Sequence, residues 1–257
     1  MNTAEQLKFH KRKFRGLSGN QFKLIAFFLM LCDDIGYIFI QNGVLYGQNA
    51  MYWNMAIATT EGQKWYMVSR ILRFAGRLSF PVFAFFVAEG FQHTRSKVKY
   101  MMRMGVFALL SEVPFDLACF GTWYYPDYQN VLFTYFIALT ALYLMELSRK
   151  LPVVIQILIA AVFAYLAYLV KSDYGAVGVA LISTLYLLRN TKNMKFLVGA
   201  VISAAESIDY LGISALSMLG LKFYDGSRGR IPLKYFFYAA YPLHYLIFYA
   251  AVRLTNG

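Results

Sequence analysis

Long apolar runs alternate with short basic clusters along almost the whole chain. A run of about 20 apolar residues is long enough to cross a bilayer as a helix, so each run predicts a membrane-spanning helix. The clear runs are residues 22–40, 71–91, 104–120, 131–147, 153–170, 174–188 and 235–252. Residues 196–224 are interrupted by Glu206 and Asp209 and form either one long tilted helix or two short helices.

The basic clusters predict the orientation of these helices. Cytoplasmic loops of membrane proteins carry an excess of Lys and Arg. If the basic N-terminus is cytoplasmic, the clusters at 95–103, 149–150 and 189–195 fall on the same side by simple alternation. The cluster at 222–234 joins them only if residues 196–224 cross twice. The sequence therefore predicts nine spans, with the N-terminus in the cytoplasm and the C-terminus outside.

Composition favours an all-α, polytopic transmembrane helical bundle. The 257 residues are 59% hydrophobic and only 15% charged, whereas soluble chains usually carry about 25% charged residues. The net charge of +12 would suggest nucleic-acid binding if the basic residues formed one face of a soluble protein. Instead, they lie in short clusters between apolar runs. We therefore expect membrane lipids and no nucleic acid as partners. The expected organisation is a basic tail at 1–20, one transmembrane domain at 21–252 and a short outer tail at 253–257.

Residues 41–69 form the longest predicted outer segment. Aromatic residues recur among polar ones here, at Tyr46, Tyr52, Trp53, Trp65 and Tyr66. This mixture is typical of a helix that lies at the membrane surface. An ordinary connecting loop fits the pattern equally well.

Seven of the 13 acidic residues fall within the predicted spans. A carboxylate near the centre of a membrane helix costs about 2.5–3.5 kcal/mol on insertion scales, so this group needs basic partners or a polar cavity. The seven are Asp33, Asp34, Glu89, Glu112, Asp116, Glu206 and Asp209.

Three arginines around the start of the second run supply suitable partners. Arg70, Arg73 and Arg77 are three and four residues apart and share one face of a helix. Turned inward, they neutralise Asp33 and Asp34 or bind an anionic ligand through forked hydrogen bonds. The alternative for Arg70 is a side chain that extends to the outer membrane surface.

The histidines offer further candidates. Glu89 and His93 are one helical turn apart and form either a functional pair or a helix-end interaction. His244 follows Pro242 in the last run and is either a hydrogen-bonded interior residue or part of a site. No group of His and Cys residues has zinc-ligand spacing, so no metal is expected.

Ten short motifs occur in order along the chain. They are 24–26 (LIA), 30–36 (MLCDDIG), 72–85 (LRFAGRLSFPVFAF), 89–95 (EGFQHTR), 111–116 (SEVPFD), 130–134 (NVLFT), 173–175 (DYG), 223–230 (FYDGSRGR), 234–238 (KYFFY) and 241–244 (YPLH). Each is weak alone, but together they resemble the TraX family, named for the protein that acetylates the N-terminus of F-type pilin. The resemblance covers nearly the whole chain.

The resemblance implies an acetyltransferase of the bacterial cytoplasmic membrane. Its acyl donor would be acetyl-CoA, and its acceptor the N-terminal amine of a pilin or another secreted peptide. The phosphates of coenzyme A would bind basic residues on the cytoplasmic side. These are Arg95, Lys99, Arg103, Arg228, Arg230 and Lys234. The alternative for each is an ordinary charged loop residue.

One position departs from the family pattern. The family typically reads Asp-His-Ile-Gly where this chain has Asp33, Asp34, Ile35 and Gly36. In related membrane acyltransferases that histidine serves as base or acyl carrier. Asp34 therefore indicates a divergent mechanism, an inactive member or a deliberately disabled form. Replacing Asp34 with His is expected to raise the transfer rate by at least about tenfold.

The candidate site follows from the resemblance and the residues together. Its catalytic group is Asp33, Asp34 and His244, with Asp33 orienting position 34. The group that lines the cavity or binds the acceptor is Arg73, Arg77, Glu89, His93, Glu112, Asp116, Asp173 and Tyr174. Two other classes stay open: a proton- or solute-coupled transporter, and a non-catalytic protein for pilus or secretion assembly. The oligomeric state is also open.

Overall fold

A computed structural model describes residues 16–191, 193–229 and 233–256, and the chain within them is almost entirely helical. Helix α1, Gly19–Asp34, continues as the wider π-helical turns of Ile35–Val44. The other helices are α2 Ala50–Ile57, α3 Thr60–Gly76, α4 Ser79–His93, α5 Lys97–Phe120, α6 Val131–Leu147, α7 Val153–Leu169, α8 Gly175–Leu187, α9 Met194–Glu206, α10 Ala215–Gly220 and α11 Lys234–Asn256. Short 3-10 turns occupy Ile208–Tyr210 and Leu221–Phe223. The described residues contain isolated β-bridges but no longer strand, so the all-α prediction is confirmed.

The centre of the bundle lies between α4, α6 and α8. These helices enclose large apolar side chains, among them Phe91, Leu139, Leu142, Leu181 and Ile182. Around this centre, α11 packs against α5 and against the π-helical turns that extend α1. The first and last helices of the described chain are therefore neighbours, although they are far apart in sequence.

The outer surface of the bundle is largely apolar. Along α7 only Ala167 is buried, whereas Val154, Leu158, Val162 and Tyr165 are more than half exposed. Soluble monomers rarely expose apolar patches larger than about 300–600 Å². Helices that face lipid keep their backbone polar groups paired internally and present such side chains outward, so this surface supports membrane association.

Within the described residues, two stretches are long and apolar enough to cross a membrane. They are Gly19–Val44 and Thr60–His93. Three shorter apolar helices, Val131–Leu147, Val153–Leu169 and Gly175–Leu187, fall below that length. The helical bundle is thus established, whereas crossing by nine spans stays a prediction.

Connecting segments collect at two ends of the bundle. One end, which we call the upper face, contains residues 41–48, 119–130, 171–174 and 207–214. There the Asn42 side-chain amide donates to the Cys119 carbonyl at 3.0 Å. The Gln129 backbone N–H donates to the Lys171 carbonyl at 3.1 Å. This is the face that the charge pattern predicts to lie outside the cell.

The opposite end is the lower face, which contains residues 16–20, 95–97, 146–151, 186–191 and 223–229. The Gly19 N–H donates to the Ser227 carbonyl at 2.8 Å, and Lys97 Nζ lies 3.0 Å from Glu146. Successive loops therefore meet at alternate ends of the bundle, as the charge pattern predicts for helices that run back and forth.

The structure corrects some predicted boundaries and decides two alternatives that the sequence left open. The predicted second span, 71–91, belongs to a helical stretch that begins at Thr60 and is interrupted between α3 and α4. The predicted outer segment 41–69 is mostly helical, because it contains α2 and the first half of α3. Residues 196–224 form two short helices that pack against each other. Residues 1–15 of the predicted tail lie outside the described residues, and 253–256 continue α11.

Candidate functional site

Two glycines let α1 and α3 cross in direct contact. A Cβ atom added at Gly76 would lie 2.3 Å from the Cβ of Asp33, and one at Gly36 would lie 2.9 Å from the Cγ of Arg73. Such distances leave no room for a side chain. Small residues at a helix crossing allow the two backbones to approach closely, and here the approach brings Asp33 to the arginines of α3.

Asp33 is bound by two guanidinium groups. Arg77 Nη2 donates to Asp33 Oδ2 at 2.6 Å, and Arg73 Nε donates to Asp33 Oδ1 at 3.4 Å. Arg77 also lies 3.8 Å from Glu206 of α9. These side chains are only 10–23% exposed, so water and salt screen their attraction less than at a surface. Of the two adjacent aspartates, Asp33 is the one that these arginines bind.

Arg73, Arg77 and Glu206 also line a cavity of about 630 Å³ at the upper face. We call it the upper cavity, and its lining includes Arg70, Arg73, Arg77, Glu206, Asp209 and Tyr210. The Arg70 guanidinium lies 4.3 Å from the centre of the Tyr210 ring, a cation–π contact. Because the lining is mainly charged, the upper cavity suits a charged or hydrogen-bonding group and not an acyl chain.

Asp34 points elsewhere and contacts His244 of α11. His244 Nε2 and Asp34 Oδ2 are 3.0 Å apart, and His244 Nδ1 lies 3.1 Å from the Ala240 carbonyl. A carbonyl oxygen only accepts, so Nδ1 carries a proton, and one further proton is shared between Nε2 and Oδ2. The two side chains are 6% and 14% exposed. This buried pair is suited to passing a single proton.

Aromatic rings hold the His244 imidazole in place. The ring centres of Tyr245, Tyr241, Phe248 and Phe27 lie 4.0, 5.4, 5.9 and 6.5 Å from that of the imidazole. Three of these rings come from α11 itself, and Phe27 comes from α1. The imidazole is therefore fixed in orientation toward Asp34, as a proton-transfer group requires.

A second cavity, the lower cavity, has a volume of about 700 Å³ and reaches the lower face. This volume lies within the roughly 300–1,000 Å³ range of small-molecule and cofactor sites. Four basic residues line it, and its apolar lining includes Phe27, Met30 and Tyr241. The rings of Phe27 and Tyr241 also contact His244, so the apolar end of the lower cavity adjoins the Asp34–His244 pair. The basic residues are Lys23, Arg95, Arg103 and Arg228.

A glycine-containing turn places Arg228 at this cavity. Gly226 and Gly229 have φ angles of +78° and +91°, which residues with a side chain rarely adopt. The backbone N–H groups of Gly19 and Asn20 donate to carbonyls of the turn at 2.8 and 3.1 Å. The first N–H groups of α1 are thus satisfied by the turn, and the cationic character of the cavity comes from side chains.

The predicted phosphate-binding residues are only partly brought together. Arg95, Arg103 and Arg228 line the lower cavity, whereas Lys99 is exposed and outside its lining. Arg230 and the side chain of Lys234 lie outside the described residues.

The predicted acceptor-binding residues occupy several separate places. Arg73 and Arg77 line the upper cavity, whereas Glu89 and His93 line the lower one and pair with each other at 3.2 Å. The geometry therefore does not unite Glu89 and His93 with the arginines of α3.

Two of these residues join α5 to the segment that precedes α6. Glu112 accepts hydrogen bonds from the side chain and the backbone of Asn130. Asp116 accepts from the Tyr125 N–H at 2.8 Å. Neither residue lines the upper or the lower cavity, and their contacts indicate a structural joint at the upper face.

The remaining pair, Asp173 and Tyr174, lies in the connection between α7 and α8. The Tyr128 hydroxyl donates to Asp173 at 2.7 Å, and burial raises the pKa of Asp173 to about 6. Tyr174 stacks on Phe80 with 3.6 Å between ring centres, and its ring lies 6.0 Å from the Arg77 guanidinium. Tyr174 is thus near the upper cavity, although it does not line it.

Sequence reasoning missed Lys23, Glu206 and Tyr210 as site residues. Lys23 lines the lower cavity, and Glu206 and Tyr210 line the upper one. Two signals could have indicated the first two: a lone lysine at the start of the apolar run 22–40, and an acidic residue in the interrupted stretch 196–224. Nothing local in the sequence marks Tyr210.

The profile of the TraX protein family matches residues 18–252. The chain therefore belongs to the TraX family. A relative in this comparison is the "Probable fimbrial assembly protein FimC, serogroup H1" of Dichelobacter nodosus, which is 26% identical over 248 residues, covering 88% of this chain and 92% of the relative. No solved structure matches the chain.

The TraX match includes nearly every residue of the two cavities. It begins just before α1 and ends within α11, so it contains Asp34 as well as His244. Both partners of the buried pair therefore lie inside the family region.

Proposed function

We propose that this TraX protein is an integral membrane acetyltransferase that moves an acetyl group from acetyl-CoA to the N-terminal amine of a pilin-like or other secreted peptide. The observation that carries the proposal is the lower cavity, which has a basic mouth and an apolar end beside the Asp34–His244 pair. Similarity to the FimC relative, a probable fimbrial assembly protein, supports a role related to pili.

The lower cavity offers complementary chemistry for acetyl-CoA as a substrate. Coenzyme A carries several phosphate charges, which suit Lys23, Arg95, Arg103 and Arg228. The buried Nε of Arg103 has no hydrogen-bond partner among the described residues, so an anionic oxygen would satisfy it. The apolar end near Met30 is suited to the uncharged arm that bears the thioester.

The Asp34–His244 pair would move the proton that amide formation releases. The neutral amine attacks the thioester carbonyl, so a C–N bond forms and the C–S bond breaks. The amine nitrogen gives up a proton to the pair, and the leaving sulfur receives one. Because one proton lies between Nε2 and Oδ2, the pair would give that proton to the leaving sulfur and take up the amine proton in its place, so its protonation is the same before and after the reaction.

This arrangement gives Asp34 a role without the family's histidine. An imidazole still contacts position 34, because His244 of α11 places its Nε2 atom 3.0 Å from Asp34 Oδ2. The active centre would therefore hold its histidine on the last helix instead of the first. Of the explanations for an aspartate at position 34, we therefore favour a divergent mechanism over an inactive member of the family.

The orientation completes the proposal. The protein is placed in the cytoplasmic membrane as a multi-pass chain with nine spans, and the lower face is on the cytoplasmic side, where acetyl-CoA is available. The grouping of successive loops at alternate faces supports helices that run back and forth across the membrane. Helices α9 and α10 are the weakest part of it, because they are 13 and 6 residues long and a full crossing needs about 20.

The first test is binding of acetyl-CoA to the detergent-purified protein by calorimetry. We expect saturable binding that Arg103→Gln and Arg228→Gln each weaken about tenfold or more, since a hydrogen bond to a charged group contributes about 1.5–3 kcal/mol. Lys150→Gln is the matched control, because Lys150 is an exposed basic residue of the lower face outside the cavity. Equal binding by all four proteins, or no binding at all, would contradict the donor site. Acetylation of a synthetic peptide at its N-terminus, read by mass spectrometry, then tests the transfer itself.

A transporter is the second candidate, and the break between α9 and α10 favours it. Broken helices beside ionisable side chains are typical of transporter binding sites, and Glu206 ends α9 at the break. Uptake of a solute by proteoliposomes without acetyl-CoA would support this class. A non-catalytic assembly protein, the third class, predicts that a His244→Gln variant fully restores pilus assembly in a deletion strain.

A further inference from the structure

The upper cavity contains a buried carboxylate oxygen without a donor. Glu206 places one oxygen 3.8 Å from Arg77, while its Oε2 atom has no hydrogen-bond partner among the described residues. The Glu206 side chain is 10% exposed. A buried acceptor left unpaired costs about 1–3 kcal/mol, and more when it is charged. A ligand that brings an N–H donor would remove this cost.

The same cavity contains a guanidinium without a carboxylate partner. Asp33 and Glu206 neutralise Arg73 and Arg77, but within the described chain no acidic side chain lies within ion-pair distance of Arg70. The Arg70 guanidinium donates to the Asp209 carbonyl at 3.2 Å and lies over the Tyr210 ring. Arg70 therefore keeps a positive charge available at the cavity, held in a fixed orientation by the ring beneath it.

The two unsatisfied groups lie at different depths. Arg73 is 23% exposed, Arg77 15% and Glu206 10%, so the cavity becomes more enclosed from Arg70 toward Glu206. The guanidinium carbons of Arg70 and Arg77 lie 4.3 and 5.3 Å from the centre of the same Tyr210 ring, so the distance between them is at most about 10 Å. An extended peptide covers about 10 Å in three residues.

We infer that the upper cavity is the acceptor site and that it selects peptides with a free N-terminal ammonium followed, within about three residues, by an acidic side chain. Glu206 receives the ammonium at the enclosed end, and Arg70 binds the acidic side chain at the mouth. The inference rests on the proposed function for its peptide acceptor. The hydroxyls of a neutral sugar can hydrogen-bond to both groups but compensate neither charge, and an acyl chain would meet a mainly charged lining.

The ammonium end of such a peptide faces the reaction centre. Arg77 contacts both Glu206 and Asp33, and Asp33 directly precedes Asp34, the partner of His244. The upper cavity and the Asp34–His244 pair therefore lie on two sides of the same turn of α1. This position lets the acceptor amine approach from the upper face while the donor occupies the lower cavity.

The test is peptide binding measured without acetyl-CoA. Three decapeptides carry a fluorophore at the C-terminus: one with a free N-terminus and Asp at its third position, the same peptide N-acetylated, and a free-amine version with Asn instead of Asp. We expect fluorescence anisotropy on the detergent-purified protein to show the first binding at least tenfold more tightly than either other. Glu206→Gln should remove the preference for the free amine, and Arg70→Gln the preference for Asp.

A basic residue on the same helix provides the matched control. Lys64 is 70% exposed and outside the cavity lining, so Lys64→Gln should keep both preferences. Equal binding of the three peptides, or preferences that survive in Arg70→Gln and Glu206→Gln, would overturn the inference. Acetylation of the two free-amine peptides, with Asp and with Asn, at equal rates would overturn the preference for an acidic side chain while leaving the proposed function intact. Selective binding without any acetyl transfer would support the peptide site and count against the acetyltransferase.

Discussion

Asp34 and His244 share one proton across 3.0 Å, so we expect them to act as a unit. Asp34→Asn and His244→Gln should each lower kcat for acetyl transfer by about 10²–10⁴-fold, the usual contribution of a placed acid–base group. The double variant should fall no further, because residues that act together have non-additive effects. The measurement is the initial rate of peptide acetylation at saturating acetyl-CoA, with KM for acetyl-CoA followed in parallel.

The matched control is Asp127→Asn, because Asp127 is an exposed carboxylate whose partner is Lys171. Losses that multiply in the double variant would show that Asp34 and His244 act independently. The contact also reverses the expectation for Asp34→His: a histidine there would replace the carboxylate partner of His244, so the rate should fall. A tenfold rise would instead favour the role of the family's first-span histidine.

The sequence identified most of the charged residues but not their pairing. The 100° between adjacent helix positions predicts that Asp33 and Asp34 face different surroundings, and they do. Which aspartate meets the arginines of α3 depends on how α1 and α3 cross. The contact from Asp34 to His244 spans 210 positions, and no local pattern contains that information.

At the scale of elements, the crossing of α1 and α3 depends on Gly76. A methyl group there would press on Asp33, and overpacking of this kind costs about 1–3 kcal/mol. Gly76→Ala should therefore lower the thermal unfolding temperature in detergent. It should also weaken acetyl transfer, because displacement of α1 moves Asp33 and Asp34 together.

Gly220→Ala is the control variant. It separates the effect of crowding the helix crossing from the general effect of replacing a glycine with alanine. A Cβ atom at Gly220 meets nothing within 4 Å, and alanine favours a helix over glycine. This variant should be as stable as the parent protein or slightly more stable. If Gly76→Ala unfolds at the same temperature as Gly220→Ala, the close contact does not govern stability.

Capping residues mark the starts of two helices that the hydropathy pattern does not reveal. Thr59 Oγ1 accepts from the Gly62 N–H, and Asn49 accepts from the N–H groups at the start of α2, which is the usual capping chemistry. Helix α3 begins in polar sequence and α2 has only eight residues, so an analysis of long apolar runs places both helix starts in a loop. The interruption between α3 and α4 is marked by Pro81 in the first turn of α4, because proline has no N–H to donate to the carbonyl of Arg77 four residues earlier.

For the whole molecule, the sequence predicts the alternation of loops but not the length of each crossing. The basic clusters near 95–103 and 149–150 do lie at one face. The number of spans depends on α9 and α10, whose apolar lengths fall short of a bilayer. Neighbouring helices can shelter short segments within a membrane, and hydropathy alone carries no information about such shelter.

Cysteine accessibility in whole cells tests this topology directly. In a chain with Cys32 and Cys119 replaced by Ala, single cysteines are placed at Asp127 and Leu211 of the upper face and at Lys150 and Lys222 near the lower face. A membrane-impermeant maleimide should label the first two in intact cells and the other two only after permeabilisation. Leu211 is 91% exposed, so labelling there is not limited by packing.

The pair Leu211 and Lys222 decides whether α9 and α10 cross. Opposite accessibility of these two positions means that the chain passes through the membrane between them, because α10 then separates the two aqueous sides. If both positions are labelled in intact cells, α9 crosses alone and the last helix begins outside. If neither is labelled before permeabilisation, α9 and α10 form a hairpin that enters and leaves by the cytoplasmic face, and the direction of the last helix is unchanged. Only the first result would reverse the helix that carries His244, and it would contradict the proposed cytoplasmic entry of acetyl-CoA.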